Sequence, residues 1–96
     1  KGDYFLRVVG DSMEGSHIYE GDLVYVQKCN TIASGQIGIV LIGDEATIKR
    51  VYYKDNLMIL EASNPKYESH FFTMKEVAET PVKIIGLVRF VRRDFE

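Results

Sequence analysis

The 96-residue chain carries a formal net charge of −2, with 27% charged and 46% hydrophobic residues. That balance suits one soluble globular domain with a modest core, and it argues against a domain that holds nucleic acid by itself. The single cysteine, Cys29, excludes an internal disulfide and fits a reducing, cytoplasmic compartment.

The chain reads as mostly β. Tyr4 to Val9 is a short run of strand formers, with Val8 and Val9 as its buried end. Gly10-Asp11-Ser12-Met13 stops it, and Leu23 to Gln27 is the next strand. Ser34-Gly35 turns into Ile37 to Ile42, a buried strand interrupted by Gly38. Gly43-Asp44-Glu45 turns into Ala46 to Tyr53, and Lys54-Asp55-Asn56 turns into Leu57 to Glu61. Ser63-Asn64-Pro65 breaks that run, because proline cannot continue a ladder. Phe71 to Thr73 is a short strand, and Met74 to Glu79 is the one segment read as a helical turn. After Pro81, Val82 to Arg92 is a long strand bulged at Gly86. Strands spaced at roughly ten residues predict a compact, strongly bent antiparallel β structure. Arg89, Arg92 and Arg93 are followed closely by Asp94 and Glu96, the pattern of a solvated strand end. No run approaches the ~18 apolar residues of a membrane span, and neither a span nor a signal peptide is expected.

Few residues recommend themselves for chemistry. His17 and His70 have no His or Cys at ligand spacing beside them, so both read as surface histidines and no metal or cofactor site is expected. Cys29 reads as a small core or edge residue. There is no G-x-G-x-x-G, P-loop or G-x-S-x-G pattern. Ser12 remains, placed in a turn that does not need a serine. A serine hydroxyl is a weak nucleophile until a neighbour takes its proton, and a neutral lysine amine is one such base. Six of the seven lysines lie at the terminus, at strand ends or in polar turns; Lys49 lies mid-strand in "EATIKRVYY". Alternation groups Lys49 with Thr47, Val51 and Tyr53, opposite Ile48, Arg50 and Tyr52, without saying which face is inside. From these residues alone an exposed β-lysine is the simpler reading.

The segments "VVGDSMEGSHIYEGDLVYV" and "SGQIGIVLIGDEATIKRVYY" resemble the LexA-like (peptidase S24) carboxy-terminal domains of self-cleaving SOS and phage repressors, a family that includes the mutagenesis accessory proteins. "LEASNPKYESHFF" resembles the family's Asn-Pro segment and "KIIGLVRFVRR" its final strand, so the resemblance covers nearly the whole chain. It implies Ser12 as nucleophile in the Gly-Asp-Ser-Met motif and Lys49 as general base. Backbone N–H groups near Asp11 and Ser12 would hold the oxyanion. Gly10 would allow the close approach that such a turn needs. Asp11 would shape the turn, and Asp22 would cap its own backbone in a second turn. Tyr4, Phe5, Phe71, Phe72 and Phe90 read as core or interface residues. The family pairs through its last strand, which points to Val88, Arg89, Phe90 and Val91 as a homodimer contact.

Two departures accompany the resemblance. Met13-Glu14-Gly15-Ser16-His17 stands where many members have proline or a longer insertion. The chain also holds neither Ala-Gly nor Cys-Gly, the family's cleavage dipeptides. Residues 1–96 are therefore expected to be an autoprotease and dimerisation domain without the cleavage site or the amino-terminal DNA-binding domain. Expected partners are a second copy, an activated recombinase filament or antirepressor, and operator DNA through that other domain, with no membrane contact. A non-catalytic dimerisation module and a translesion-polymerase accessory subunit are the alternatives, and a signal-peptidase-like enzyme lacks its anchor here. Only about 1 in 2,500 free lysine amines is neutral at pH 7, so half-neutrality takes roughly 4.6 kcal/mol of bias against the charge. Burial among strand residues supplies bias of that kind, and self-cleavage is expected to rise with pH as Lys49 loses its proton.

Overall fold

Short β-branched and aromatic runs separated by glycine, asparagine and proline turns organise the computed structural model, which describes residues 2–93. The strands are β1 (Tyr4–Arg7), β2 (Leu23–Lys28), β3 (Ile37–Ile42), β4 (Glu45–Lys54), β5 (Leu57–Glu61), β6 (His70–Thr73) and β7 (Val82–Arg92). They form one antiparallel sheet in the order β1-β2-β7-β3-β4-β5-β6. The expected mostly-β, strongly bent architecture is what the chain adopts: the sheet curls into a half-barrel.

Each face of this sheet carries a core over part of its width, which a single alternating pattern does not announce. One core gathers Val8, Met13, Ile18, Val24, Val26 and Ile39, with Leu6, Ile48, Val88 and Val91 packed against it. The other gathers Val40, Val51, Met58, Leu60, Val82 and Ile84, with Cys29, Phe72 and Val77 against it. Adjacent residues Ile39 and Val40 thus belong to different cores, as the strand period of two requires.

The long strand β7 serves both cores by slipping register twice. Ile39 pairs with Gly86 and Val40 with Ile84, leaving Ile85 as the extra residue. Tyr25 pairs with Phe90 and Val26 with Val88, leaving Arg89 as the extra residue. The bulge expected at Gly86 is therefore two bulges, one on either side of it. Each adds one residue and so flips the facing of the residues beyond it. Ile84 faces the second core, and Val88 and Val91, three residues apart, both reach the first. Gly86 itself is required by space, because a Cβ there would overlap Val26 Cγ1.

The helical turn over Met74–Glu79 is α1 and opens on a capping box: Glu76 N–H donates to Thr73 Oγ1 at 3.1 Å, and Thr73 N–H donates to Glu76 Oε1 at 2.8 Å. The pattern Thr-x-x-Glu that specifies it was legible at residues 73–76. A 3₁₀ turn over Glu14–Ser16 has no comparable signal. No helix among the described residues is long and apolar enough to cross a membrane.

Candidate functional site

The loop carrying Ser12 begins where β1 fails to continue. The ladder with β2 ends at Arg7 opposite Leu23. Val8 then donates its N–H to Asp22 O at 2.8 Å and buries its side chain, while Val9 is 84% exposed. The expected buried strand end therefore stops two residues early, and Val9 faces solvent. Gly10 comes next with φ +86°, a conformation that glycine adopts at no steric cost. A Cβ there would meet none of the chain's own atoms within 4 Å, so it is the positive φ that this turn itself takes from glycine. Met13 then plunges into the first core. Ser12 sits half-buried between two anchors, Val8 before it and Met13 after it.

The facing wall comes from β4. Among the described residues, 45–49 pair with β3 alone, since the β5 ladder begins at Arg50. A cleft of about 400 Å³ is lined by residues 6–9, Ser12, Met13 and residues 45–49. Five consecutive residues of one strand line it, so the cleft follows a strand edge and not a strand face. Although β1 and β4 are separated by three strands in the sheet order, the curl of the sheet brings them to the same gap. Ser12 and Lys49, 37 positions apart in a chain of 96 (49 − 12), thereby share one cleft.

Lys49 is half-buried, with β3 at its side and Val51 of the second core next along its own strand face. Burial lowers its amine below the ordinary lysine range, and the carboxylate of Glu45 works weakly in the opposite direction. The question of which face of β4 points inward has a double answer. Val51 enters the second core and Ile48 packs on the first.

The Ser12 loop is held from behind by the Asn-Pro segment. Asn64 Nδ2 donates to Asp11 O at 2.8 Å, and Lys66 Nζ lies 2.8 Å from Asp11 Oδ2. The Tyr67 hydroxyl donates to Asp11 Oδ1. Hydrogen bonds from Lys66 and Tyr67 hold the Asp11 carboxyl below its usual range. Further along, Gly15 N–H donates to Ser63 O at 2.5 Å, and the Ser16 and Ser63 hydroxyls lie 2.5 Å apart. Arg50 joins the same network, donating to Ser16 Oγ at 3.1 Å and Gly35 O at 2.6 Å. Asp11 thus shapes its turn through partners more than 50 positions away, and neither Asn64 nor Arg50 was singled out from sequence.

Asp22 makes the expected cap and does more. It does accept a backbone bond, from Tyr19 N–H at 2.9 Å, but it is 3% exposed and grips Arg93 by both oxygens at 2.7 Å. Arg93 is itself exposed, at 40% of its side chain, as the solvated strand end predicts, but it also covers the buried Asp22 carboxylate. A cavity of about 570 Å³ opens beside this pair and holds neither Ser12 nor Lys49. His17 and His70 are exposed, and no group of three or more His, Cys, Asp or Glu among the described residues could hold a metal ion. Tyr4 and Phe72 pack on the two cores, whereas Phe5, Phe71 and Phe90 are exposed. Of the suggested interface, Val88 and Val91 face the first core, while Arg89 and Phe90 are exposed. Asp94 and Glu96 lie outside the described residues.

Comparison with known proteins gives the cleft a context. Residues 1–89 match the family described as Peptidase S24-like. A LexA repressor of Methylococcus capsulatus is 46% identical over 67 residues, covering 70% of this chain and 33% of that protein. A LexA repressor of Paraburkholderia xenovorans is 45% identical over 96 residues, covering 93% of this chain and 42% of that protein. The chain spans less than half the length of either relative.

Proposed function

The chain belongs to the Peptidase S24-like family, and from that premise we propose that residues 1–96 are the self-cleaving and dimerising domain of a LexA-type transcriptional repressor. The single observation that carries this reading is the sharing of one cleft by Ser12 and Lys49. A hydroxyl and a burial-lowered amine in one cleft are the parts that acyl transfer needs.

In this reading an extended segment of the same protein enters the gap between residues 6–9 and residues 45–49. The uncovered edge of β4 offers it backbone hydrogen bonds, as an added strand. Neutral Lys49 takes the Ser12 proton as Ser12 Oγ attacks the scissile carbonyl carbon. The developing oxyanion is met by backbone N–H groups at Asp11 and Ser12. The Lys49 ammonium then returns its proton to the leaving amine, and water hydrolyses the acyl-serine. Seating the segment also strips water from Lys49 and lowers its pKa further, so the free cleft is latent.

Dimerisation is assigned to the far half of β7. The β3 ladder ends at Leu87, so residues 88–91 have β2 on one edge and no strand on the other among the described residues. A second copy could pair there, and two linked DNA-binding heads would gain operator affinity through effective concentration. A recombinase filament or antirepressor would act by seating or blocking the cleavage segment.

The test is incubation of the full-length protein at rising pH, wild type against Ser12→Ala and Lys49→Ala, monitored on a gel. Cleavage by wild type alone, rising with pH through the lowered pKa of Lys49, is the expected result. No cleavage by wild type, even with an activated recombinase filament present, would replace this reading with a non-catalytic dimerisation module.

A further inference from the structure

We infer that Asn64 is a positioning residue for the oxyanion site: it orients the Asp11–Ser12 peptide so that the Ser12 N–H faces the cleft. This rests on the reading of Ser12 as nucleophile and extends it to a residue on a different segment.

The geometry is that of one peptide plane. Asn64 Nδ2 donates to Asp11 O at 2.8 Å, and the same carbonyl accepts the Glu14 N–H at a longer 3.4 Å. No described peptide bond is cis, so the Asp11 carbonyl and the Ser12 N–H point in opposite directions from one rigid plane. A donor fixing the carbonyl on one side therefore aims the N–H on the other. The plane turns about Asp11 ψ and Ser12 φ; within the loop its carbonyl has the long Glu14 N–H bond, and Asn64 supplies the short one from outside it. A carbonyl already accepting a hydrogen bond also makes its own N–H a better donor.

Asn64 is itself fixed. Its Oδ1 accepts the Lys66 N–H at 3.2 Å and its carbonyl accepts the Tyr67 N–H at 3.0 Å, so the side chain closes its own turn while its amide nitrogen reaches Asp11. The asparagine amide combines both tasks, whereas aspartate supplies the oxygen without the donor. Lys66 and Tyr67 grip the Asp11 carboxylate instead, which tethers the loop but leaves the peptide plane unaimed.

That difference supplies the experiment. Asn64→Asp keeps the acceptor for Lys66 and removes the donor to Asp11 O; Tyr67→Phe removes a tether of the same loop. Both are compared with wild type in self-cleavage of the full-length protein across pH, with thermal unfolding alongside. Asn64→Asp is expected to slow cleavage about 10- to 100-fold, less than the roughly 100- to 1,000-fold of removing an oxyanion donor outright, because the Ser12 N–H is misaimed and not lost. The pH midpoint set by Lys49 should stay in place and the melting temperature should stay near wild type. Tyr67→Phe should slow cleavage less than about threefold, the scale of one exposed hydrogen bond. Equal losses in the two variants, or a wild-type rate in Asn64→Asp, would overturn the positioning role while leaving the Ser12–Lys49 reading intact. No cleavage by wild type would overturn both.

Discussion

Lys49 carries a cost that its proposed chemistry needs. Burial disfavours its charged form, so the folded state binds that proton less readily than the unfolded chain. Between the lowered and the ordinary lysine pKa, folding stability therefore rises with pH. In its charged form the half-buried amine opposes folding. Lys49→Met is accordingly expected to melt at or above the wild-type temperature at neutral pH, and to lack the alkaline rise in stability. Urea unfolding at neutral and alkaline pH measures both, and a clear loss at neutral pH would mean that the lysine stem contributes more by packing than its charge costs. Asp22 contributes stability where Lys49 costs it, although its lowered pKa also makes stability rise with pH, within the acid range. Its two bonds to Arg93 hold the carboxyl below its usual range, so their contribution is full above the ordinary carboxylate pKa. It is lost as pH falls through the lowered value. Arg93→Ala leaves a buried carboxylate held by the Tyr19 N–H and should cost about 1–3 kcal/mol at neutral pH. The gap from wild type should close in acid; a gap that persists there would point to the stacking of Arg93 over Tyr19, at 4.9 Å, as its source.

At the scale of elements, β7 decides the most. It is the one strand that pairs with β2 over one half and β3 over the other, and its two bulges hand it from one core to the other. Gly86 stands where both ladders meet, opposite Ile39 and Lys28. Gly86→Ala would drive a methyl into Val26, which is fully buried, and is expected to cost about 1–3 kcal/mol as an overpacked core does. A substitution of no consequence in chemical denaturation would mean that β2 and β7 separate more easily than their shared register implies. The boundaries of β3, β5, β7 and α1 were readable from sequence, because glycine, asparagine and proline turns punctuate them. The end of β1 was not. Val8 and Val9 are both valines, and only the Val8 N–H bond to Asp22 O, with the turn at Gly10, separates a core residue from an exposed one.

At the scale of the molecule, the curl makes a cleft and leaves an edge. The cleft is the gap where β1 and the first half of β4 approach without pairing; the edge is residues 88–91 beyond the end of β3. Phe5, Tyr25 and Phe90 lie in register across β1, β2 and β7 on the face away from the first core, with Tyr25 and Phe90 stacked at 4.9 Å. If a second copy pairs along that edge, a charge at exposed Phe90 should disfavour it while one at exposed Phe71, on β6, should not. Phe90→Glu is expected to sediment as a monomer where wild type and Phe71→Glu sediment as dimers. Dimers of equal affinity in all three would move the contact away from β7.

Local pattern alone specifies the strand runs, their turns and the mostly-β class; it makes Ser12 and Lys49 stand out in their surroundings, but only the resemblance to the LexA-like family pairs them. These are short-range facts: a period of two, a breaker, a polar group in an apolar run. They leave open which face of β4 is buried, where β7 bulges, and what holds Asp11, Asp22 and the Ser12 loop. Those answers depend on the curl of the sheet, which brings β1 to β4, and on contacts spanning more than 50 positions such as Asn64 with Asp11 and Arg93 with Asp22. Pairing at that distance is set by how two packed cores close around one sheet, and no stretch of neighbouring residues encodes it.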